Sequence, residues 1–73
     1  MPLIQVKLLE DVFTQDEKKD LIARFTDAVV AVKGETMRPV TWVLIEDVQS
    51  GDWGIGGQAM TTEAVRGLAA HTS

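Results

Sequence analysis

The chain has 73 residues and no cysteine, so it can form one small domain, without disulfides or a cysteine-based zinc site. Its 7 basic and 11 acidic residues give a net charge of −4, with no basic run to follow a phosphate backbone. No apolar run approaches the ~20 residues of a membrane span. We therefore expect a single cytoplasmic domain over residues 1–73, with neither nucleic acid nor membrane as a partner.

Size and hydrophobicity together predict self-association. A domain of this length buries only about 60 % of the surface that its unfolded chain exposes. Nevertheless, 45 % of its residues are apolar, and no disulfide is available to compensate for a small core. We therefore expect some apolar side chains to lie at subunit interfaces of a homo-oligomer.

Two segments have the patterns of β-strands. The segment from Leu3 to Leu9 alternates, and one of its faces is wholly apolar: Ile4, Val6 and Leu8. The run "VTWVLI", from Val40 to Ile45, is apolar almost throughout and rich in β-branched residues. Such a run is typical of a strand covered on both faces.

A long helix is predicted between these strands. The sequence "TQDE" at 14–17 fits a capping box, and Gly34 is expected to end the helix. Between them, apolar residues recur at helical spacing: Leu21, Ile22, Phe25, Ala28, Val29 and Val32. We expect "GETMRP" at 34–39 to be a loop. A strand–helix–strand order predicts a right-handed crossover and therefore parallel strands, in an α+β fold.

The stretch "GDWGIGGQ" at 51–58 raises the possibility of a phosphate-binding loop. Residues 54–59 match G-x-G-x-x-G/A, but that motif opens a helix and needs an acidic residue ~20 positions later. Only 14 residues follow Ala59, and they show a weak helical pattern. We therefore expect a glycine-rich hairpin or bulge where backbones approach closely, with Trp53 presented to a neighbouring subunit or a pocket.

Pro2 has two interpretations. A proline lacks an amide hydrogen and suits the start of an edge strand. If Met1 is removed, however, Pro2 carries a free secondary amine, and an α-amino group has a pKa of ~7.7 to 8. Burial in an apolar pocket lowers such a pKa, so Pro2 could be a general base near neutral pH. The single histidine, His71, lies in the tail, where we expect it to be solvated.

The sequence resembles the 4-oxalocrotonate tautomerase family in three places: "MP" at the start, "LLE" at 8–10 and "GDWGIGG" at 51–57. The resemblance covers roughly residues 2–60. It implies a β-α-β protomer with a C-terminal glycine-rich hairpin. It also implies that two protomers form a four-stranded sheet and that such dimers assemble into a hexamer. We expect no cofactor and no metal.

The same resemblance implies roles for individual residues. Pro2 would move a proton from the hydroxyl oxygen of an enol to a carbon of the same substrate, which gives the ketone. Trp53 takes the place of the aromatic residue that borders the family's pocket, and Leu9 matches a pocket-lining position. In the tautomerase hypothesis Trp42, Trp53 and Leu9 exclude water from the site.

Two substrate-binding arginines of the family are absent from this chain. Val12 or Phe13 stands where the first is expected, and Trp42 stands where the second is expected. An arginine pair holds a dicarboxylate through bidentate bonds, so its absence favours an aromatic monocarboxylate instead. Arg38 and Lys7 are the two candidates for a replacement cation. Each also has an alternative role: Arg38 as an exposed loop arginine, and Lys7 as a solvated residue or part of an inter-subunit ion pair.

Three functions remain open from the sequence. The leading hypothesis is a tautomerase that acts on the enol of a small 2-oxo acid. In the second, a protonated Pro2 acts as the acid in hydration or dehalogenation of an unsaturated acid. In the third, the chain is a non-catalytic subunit of a hetero-oligomer. The acidic pairs at 10–11 and 46–47 are expected to be surface charges.

Overall fold

The computed structural model describes the backbone of residues 1–72 and the side chains of residues 1–69. Seven elements follow one another along the chain: strand β1 (Leu3–Leu9), helix α1 (Gln15–Lys33), a 3₁₀ helix (Glu35–Val40), strand β2 (Trp42–Val48), strands β3 (Trp53–Ile55) and β4 (Gln58–Met60), and helix α2 (Thr62–Thr72). No helix in the described part is long and apolar enough to cross a membrane. The side chain of His71 lies outside the described residues, and its solvated role stays a prediction.

The β-α-β unit is confirmed. Strands β1 and β2 pair in parallel, from Leu3 opposite Trp42 to Leu9 opposite Val48. The predicted loop at 34–39 is wrong, since a 3₁₀ helix occupies Glu35–Val40. The amide of Thr41 still donates to the Arg38 carbonyl, and β2 therefore begins at Trp42 rather than at residue 40.

Helix α1 has the predicted ends. The Glu17 amide donates to the Thr14 hydroxyl at 3.1 Å, and the Thr14 amide donates to the Glu17 carboxylate at 2.8 Å, which completes a capping box. Gly34 closes the helix with φ 104°, and its amide donates to the Val30 carbonyl. Val32, which we placed on the apolar face, is 83 % exposed. The last turn of α1 is therefore not covered by the sheet.

The sheet of β1 and β2 is covered on one face. Ile4 and Val6 are half-buried on that face, and the Lys18 ammonium of α1 reaches the Asp47 carboxylate of β2 at 2.7 Å. The opposite face carries Leu3, Trp42 and Leu44, all of which are exposed. The prediction that β2 is covered on both faces is therefore wrong for a single chain, because the other described elements leave this face open.

The single chain is also less compact than expected for its size. Its accessible surface is 5424 Å², whereas a compact monomer of this mass exposes about 4,500 Å². Its radius of gyration is 14.9 Å, against about 11 Å for a compact domain of this length. Leu9, at 6 % exposure, is the one buried apolar side chain in the described part. The chain therefore leaves a large apolar surface uncovered.

The glycine stretch forms the predicted hairpin. Strands β3 and β4 are antiparallel, and Ile55 pairs with Gln58 across a two-residue turn. Gly56 and Gly57 have φ values of 58° and 84°, the signs that a type I′ turn requires at both central positions. Gly54 is not required by a close approach of the two backbones, because an added Cβ would lie 3.9 Å from the Gln58 carbonyl oxygen, an ordinary contact distance.

A small polar cluster fixes the start of α2 against β1. The Thr62 hydroxyl donates to the Glu10 carbonyl at 2.7 Å, and the Thr62 amide donates to the Ser50 hydroxyl at 2.9 Å. The Ser50 amide in turn donates to the Glu10 carboxylate at 2.6 Å, and Arg66 donates to the Asp11 carbonyl. Glu10, which we expected to be a surface charge, is therefore half-buried and ties three segments together.

Replacement of Thr62 by valine should destabilise the fold. Thr62 is 8 % exposed, and valine keeps its shape but leaves the Glu10 carbonyl without its donor. We expect a loss of about 1–3 kcal/mol in the free energy of unfolding, measured with denaturant at one fixed protein concentration. Thr62→Ser, which keeps the hydroxyl, is the matched control. Wild-type stability in Thr62→Val would contradict this role of the cluster.

Candidate active site

An apolar cavity of about 280 Å³ lies between the end of β1, the hairpin and α2. Eight residues line it: Lys7, Leu8, Leu9, Val12, Trp53, Ile55, Val65 and Leu68. Seven of the eight are apolar, and the eighth supplies one positive charge. Such a cavity suits a small ligand with an apolar body and few polar groups.

Three parts of the chain place the cavity walls. Leu9 ends β1, and the half-buried Trp53 begins β3, where it pairs with Met60 at the end of the hairpin away from the glycine turn. Val65 and Leu68 come from α2, whose start is held by Thr62. Sequence reasoning gave these two residues only a helical pattern and did not find that they form a wall. The local signal for the start of α2 was Thr61, whose hydroxyl accepts a hydrogen bond from the Ala64 amide as an N-cap residue does.

The cavity contains no arginine. Of the two residues that could stand in the place of the family's first arginine, Val12 lines the cavity. Lys7 is the one cation in the lining, and its ammonium lies 3.4 Å from the Glu46 carboxylate across the strand pair. A dicarboxylate would therefore meet no guanidinium here.

Pro2 and Trp42 lie together at the opposite end of the sheet. The Trp42 amide donates to the Pro2 carbonyl at 2.9 Å, and the Trp42 side chain is 54 % exposed. Pro2 is half-buried, and its nitrogen is joined to Met1 in this chain. An extended strand rises about 3.3 Å per residue, which separates Pro2 from Leu9 by about 23 Å. The proposed site residues therefore form two groups within one chain.

Arg38 belongs to neither group. It lies in the 3₁₀ helix, where its guanidinium donates to the Glu35 carboxylate at 2.6 Å and to the Asp27 carboxylate at 2.8 Å. The hydrogen bond from Arg38 lowers the pKa of Glu35, and the bonds to Glu35 and Asp27 raise the pKa of Arg38 further above its usual range. Arg38 is thus a permanent cation that two carboxylates already hold.

Two other kinds of site are conceivable among the described residues, and neither suits an anionic ligand or a metal ion. A second depression of about 280 Å³ lies on the hairpin, but its charged residue is Asp52, which would repel an anion. Within the described residues, no cluster of histidine, aspartate and glutamate could hold a metal ion. The apolar cavity is therefore the candidate binding site, and Pro2 is the candidate reactive group.

A family model described as tautomerase enzyme matches residues 2–63, and the match therefore begins at Pro2. The chain is 36 % identical over 61 residues to probable tautomerase K2 of Dickeya dadantii strain 3937. That alignment covers 84 % of this chain and 90 % of the relative.

Solved structures give the same result. A crystal structure of apo unfused 4-OT superposes with a TM-score of 0.72 at 34 % identity, covering 81 % of this chain and 93 % of that one. A 4-oxalocrotonate tautomerase isozyme of Methylibium petroleiphilum superposes with a TM-score of 0.71 at 31 % identity, covering 88 % and 97 %. The chain therefore belongs to the tautomerase family and, within it, to the 4-oxalocrotonate tautomerase family.

Proposed function

We propose that this protein is a keto–enol tautomerase for the enol of a small 2-oxo acid, with Pro2 as its general base. The observation that carries the proposal is the family match that begins at Pro2. The mechanism requires removal of Met1, because only then is the Pro2 nitrogen a free amine that can accept a proton. The chemistry needs no cofactor, since the proton leaves and rejoins the same substrate.

In the proposed reaction the neutral Pro2 amine takes the proton from the enol hydroxyl. The electron pair of that O–H bond forms the C=O double bond. The electrons of the C=C double bond move to the carbon that does not carry the oxygen, and this carbon can then accept a proton. Protonated Pro2 then gives the proton to that carbon, which leaves the ketone and regenerates the amine. Leu9 and Trp53 would provide an apolar environment for Pro2. Such an environment disfavours the charged amine and therefore lowers the pKa of Pro2 toward neutral pH.

Pro2 and the cavity must come from different subunits in this proposal. Within one chain Pro2 lies about 17 Å from Lys7, the nearest cavity residue along β1, and about 23 Å from Leu9. The free edge of β1 can pair with a second β1, and an antiparallel pairing would set Pro2 of one chain opposite Leu9 of the next. Such pairing gives a four-stranded sheet from two protomers. It completes two sites at once, because the contact is symmetric.

Further assembly into a hexamer would cover the open sheet face. Leu3, Trp42 and Leu44 are exposed on the side of the sheet away from α1. The single chain also exposes about 900 Å² more than a compact monomer of its mass. Contacts between dimers through this face would bury these side chains. They would also surround Pro2 and Trp42, which already lie together within one chain, with a water-poor environment.

The described cavity favours the tautomerase over the hydratase or dehalogenase. Those reactions need a group that activates water, and the cavity lining holds no histidine, aspartate or glutamate. The missing arginines favour a substrate with one carboxylate and an aromatic body, such as phenylenolpyruvate. Arg38 remains a candidate for that carboxylate if a neighbouring subunit brings it to the site. The non-catalytic alternative requires that the purified chain alone is inactive.

Replacement of Pro2 by alanine should abolish most turnover. The assay is the ultraviolet decay of phenylenolpyruvate, with protein whose intact mass shows that Met1 is absent. Loss of the base should lower kcat/KM by roughly 10²–10⁴-fold. Size-exclusion chromatography should show an unchanged oligomer. Full activity in Pro2→Ala would contradict the mechanism, and an inactive wild-type protein would favour the non-catalytic subunit.

A mixing experiment tests whether the site is shared. Pro2→Ala chains lack the base, and Trp53→Ala chains lack the wall that excludes water, so each oligomer alone should be nearly inactive. After the two are unfolded together and refolded in equal amounts, chance assembly should restore about a quarter of the wild-type sites. Separately refolded samples, mixed afterwards, are the control. No recovery in the co-refolded sample would show that the site lies within one chain.

A further inference from the structure

We propose that Lys7 binds the anionic group of the substrate and that the cavity selects a ligand with a single negative charge and an apolar body. The inference rests on the proposed function, since it names the group that holds the substrate of that site. It is nevertheless a statement about binding, which can be measured without turnover.

The position of Lys7 places a positive charge at one side of an apolar cavity. Lys7 and Leu9 are two residues apart on β1 and therefore share a face of the strand. Both line the cavity, together with Val12 and Trp53. A ligand that rests its apolar body against Leu9, Val12 and Trp53 can therefore direct a carboxylate toward the Lys7 ammonium.

Lys7 has only a weak competing partner. Its ammonium lies 3.4 Å from the Glu46 carboxylate, and the two side chains are 60 % and 50 % exposed. Exposed ion pairs of this kind contribute at most about 1 kcal/mol. By contrast, Arg38 is held by two carboxylates at 2.6 and 2.8 Å, and Lys18 meets Asp47 at 2.7 Å. Lys7 can exchange its partner for a ligand at low cost.

The cavity chemistry limits the ligand to one charge. A lysine ammonium is a point charge, not the planar fork with which arginine holds two oxygens. The remaining seven lining residues are apolar and offer no side-chain donor to a second carboxylate except the Trp53 indole. Burial of an unpaired carboxylate is costly. The site should therefore favour a monoanion over both a neutral molecule and a dianion of similar size.

The test measures binding by calorimetry with three non-reacting probes: 3-phenylpropanoate, its neutral amide and the dianion phenylsuccinate. Wild-type oligomer should bind 3-phenylpropanoate roughly tenfold more tightly than the amide, as expected for a hydrogen bond to a charged group. It should also prefer 3-phenylpropanoate to phenylsuccinate. Lys7→Gln should lose the preference for acid over amide, and Lys7→Arg should retain it. Glu46→Gln, which removes the competing carboxylate, should strengthen acid binding.

Lys19→Gln is the matched control, because it removes an equal charge from an exposed position on α1. It should keep the wild-type preference. A preference that survives in Lys7→Gln would overturn the inference, and its loss in Arg38→Gln would assign the role to Arg38. Absence of acid binding in the wild type would overturn it as well. Failure of the proposed function gives a different result. Acid binding that depends on Lys7, with no turnover of phenylenolpyruvate, would refute the proposed tautomerase activity and would leave the role of Lys7 intact.

Discussion

The length of β1 is the constraint on which the proposed site depends. Seven residues in extended conformation join Pro2 to the cavity at Leu9 and hold them about 23 Å apart. A rigid strand within a paired sheet cannot fold back to close this distance. Chemistry that uses both the Pro2 amine and the apolar cavity therefore needs a neighbouring chain. In this account, one subunit provides the base and another provides the walls.

The same constraint links stability to function. A single chain buries one apolar side chain, Leu9, among its described residues and leaves a sheet face with Trp42 and Leu44 open. Pairing through β1 and contacts through that face would supply the core that the protomer lacks. They would also remove water from Pro2, which would lower the pKa of a free Pro2 amine. Assembly would thus stabilise the fold and tune the base through the same buried surface.

Short-range signals in the sequence predicted most of the fold. The capping box at Thr14, the alternation of β1 and the paired glycines of the hairpin each depend on a few neighbouring residues, and all three are confirmed. Long-range contacts were not predictable in this way. The cluster of Glu10, Ser50 and Thr62 joins residues up to 52 positions apart, and no local pattern marks it. The cavity wall from α2 was missed for the same reason.

In the proposed assembly, Pro2 of one chain completes the cavity of another. A crystal structure of the assembled protein, with Met1 removed, would test this arrangement. The quantity to measure is the distance from the Pro2 nitrogen to the Leu9 and Trp53 side chains of the neighbouring subunit. We expect this nitrogen to open into the neighbour's cavity, within the length of one small substrate from its walls. A Pro2 that faces solvent, or that lies against another surface of the neighbour, would contradict it.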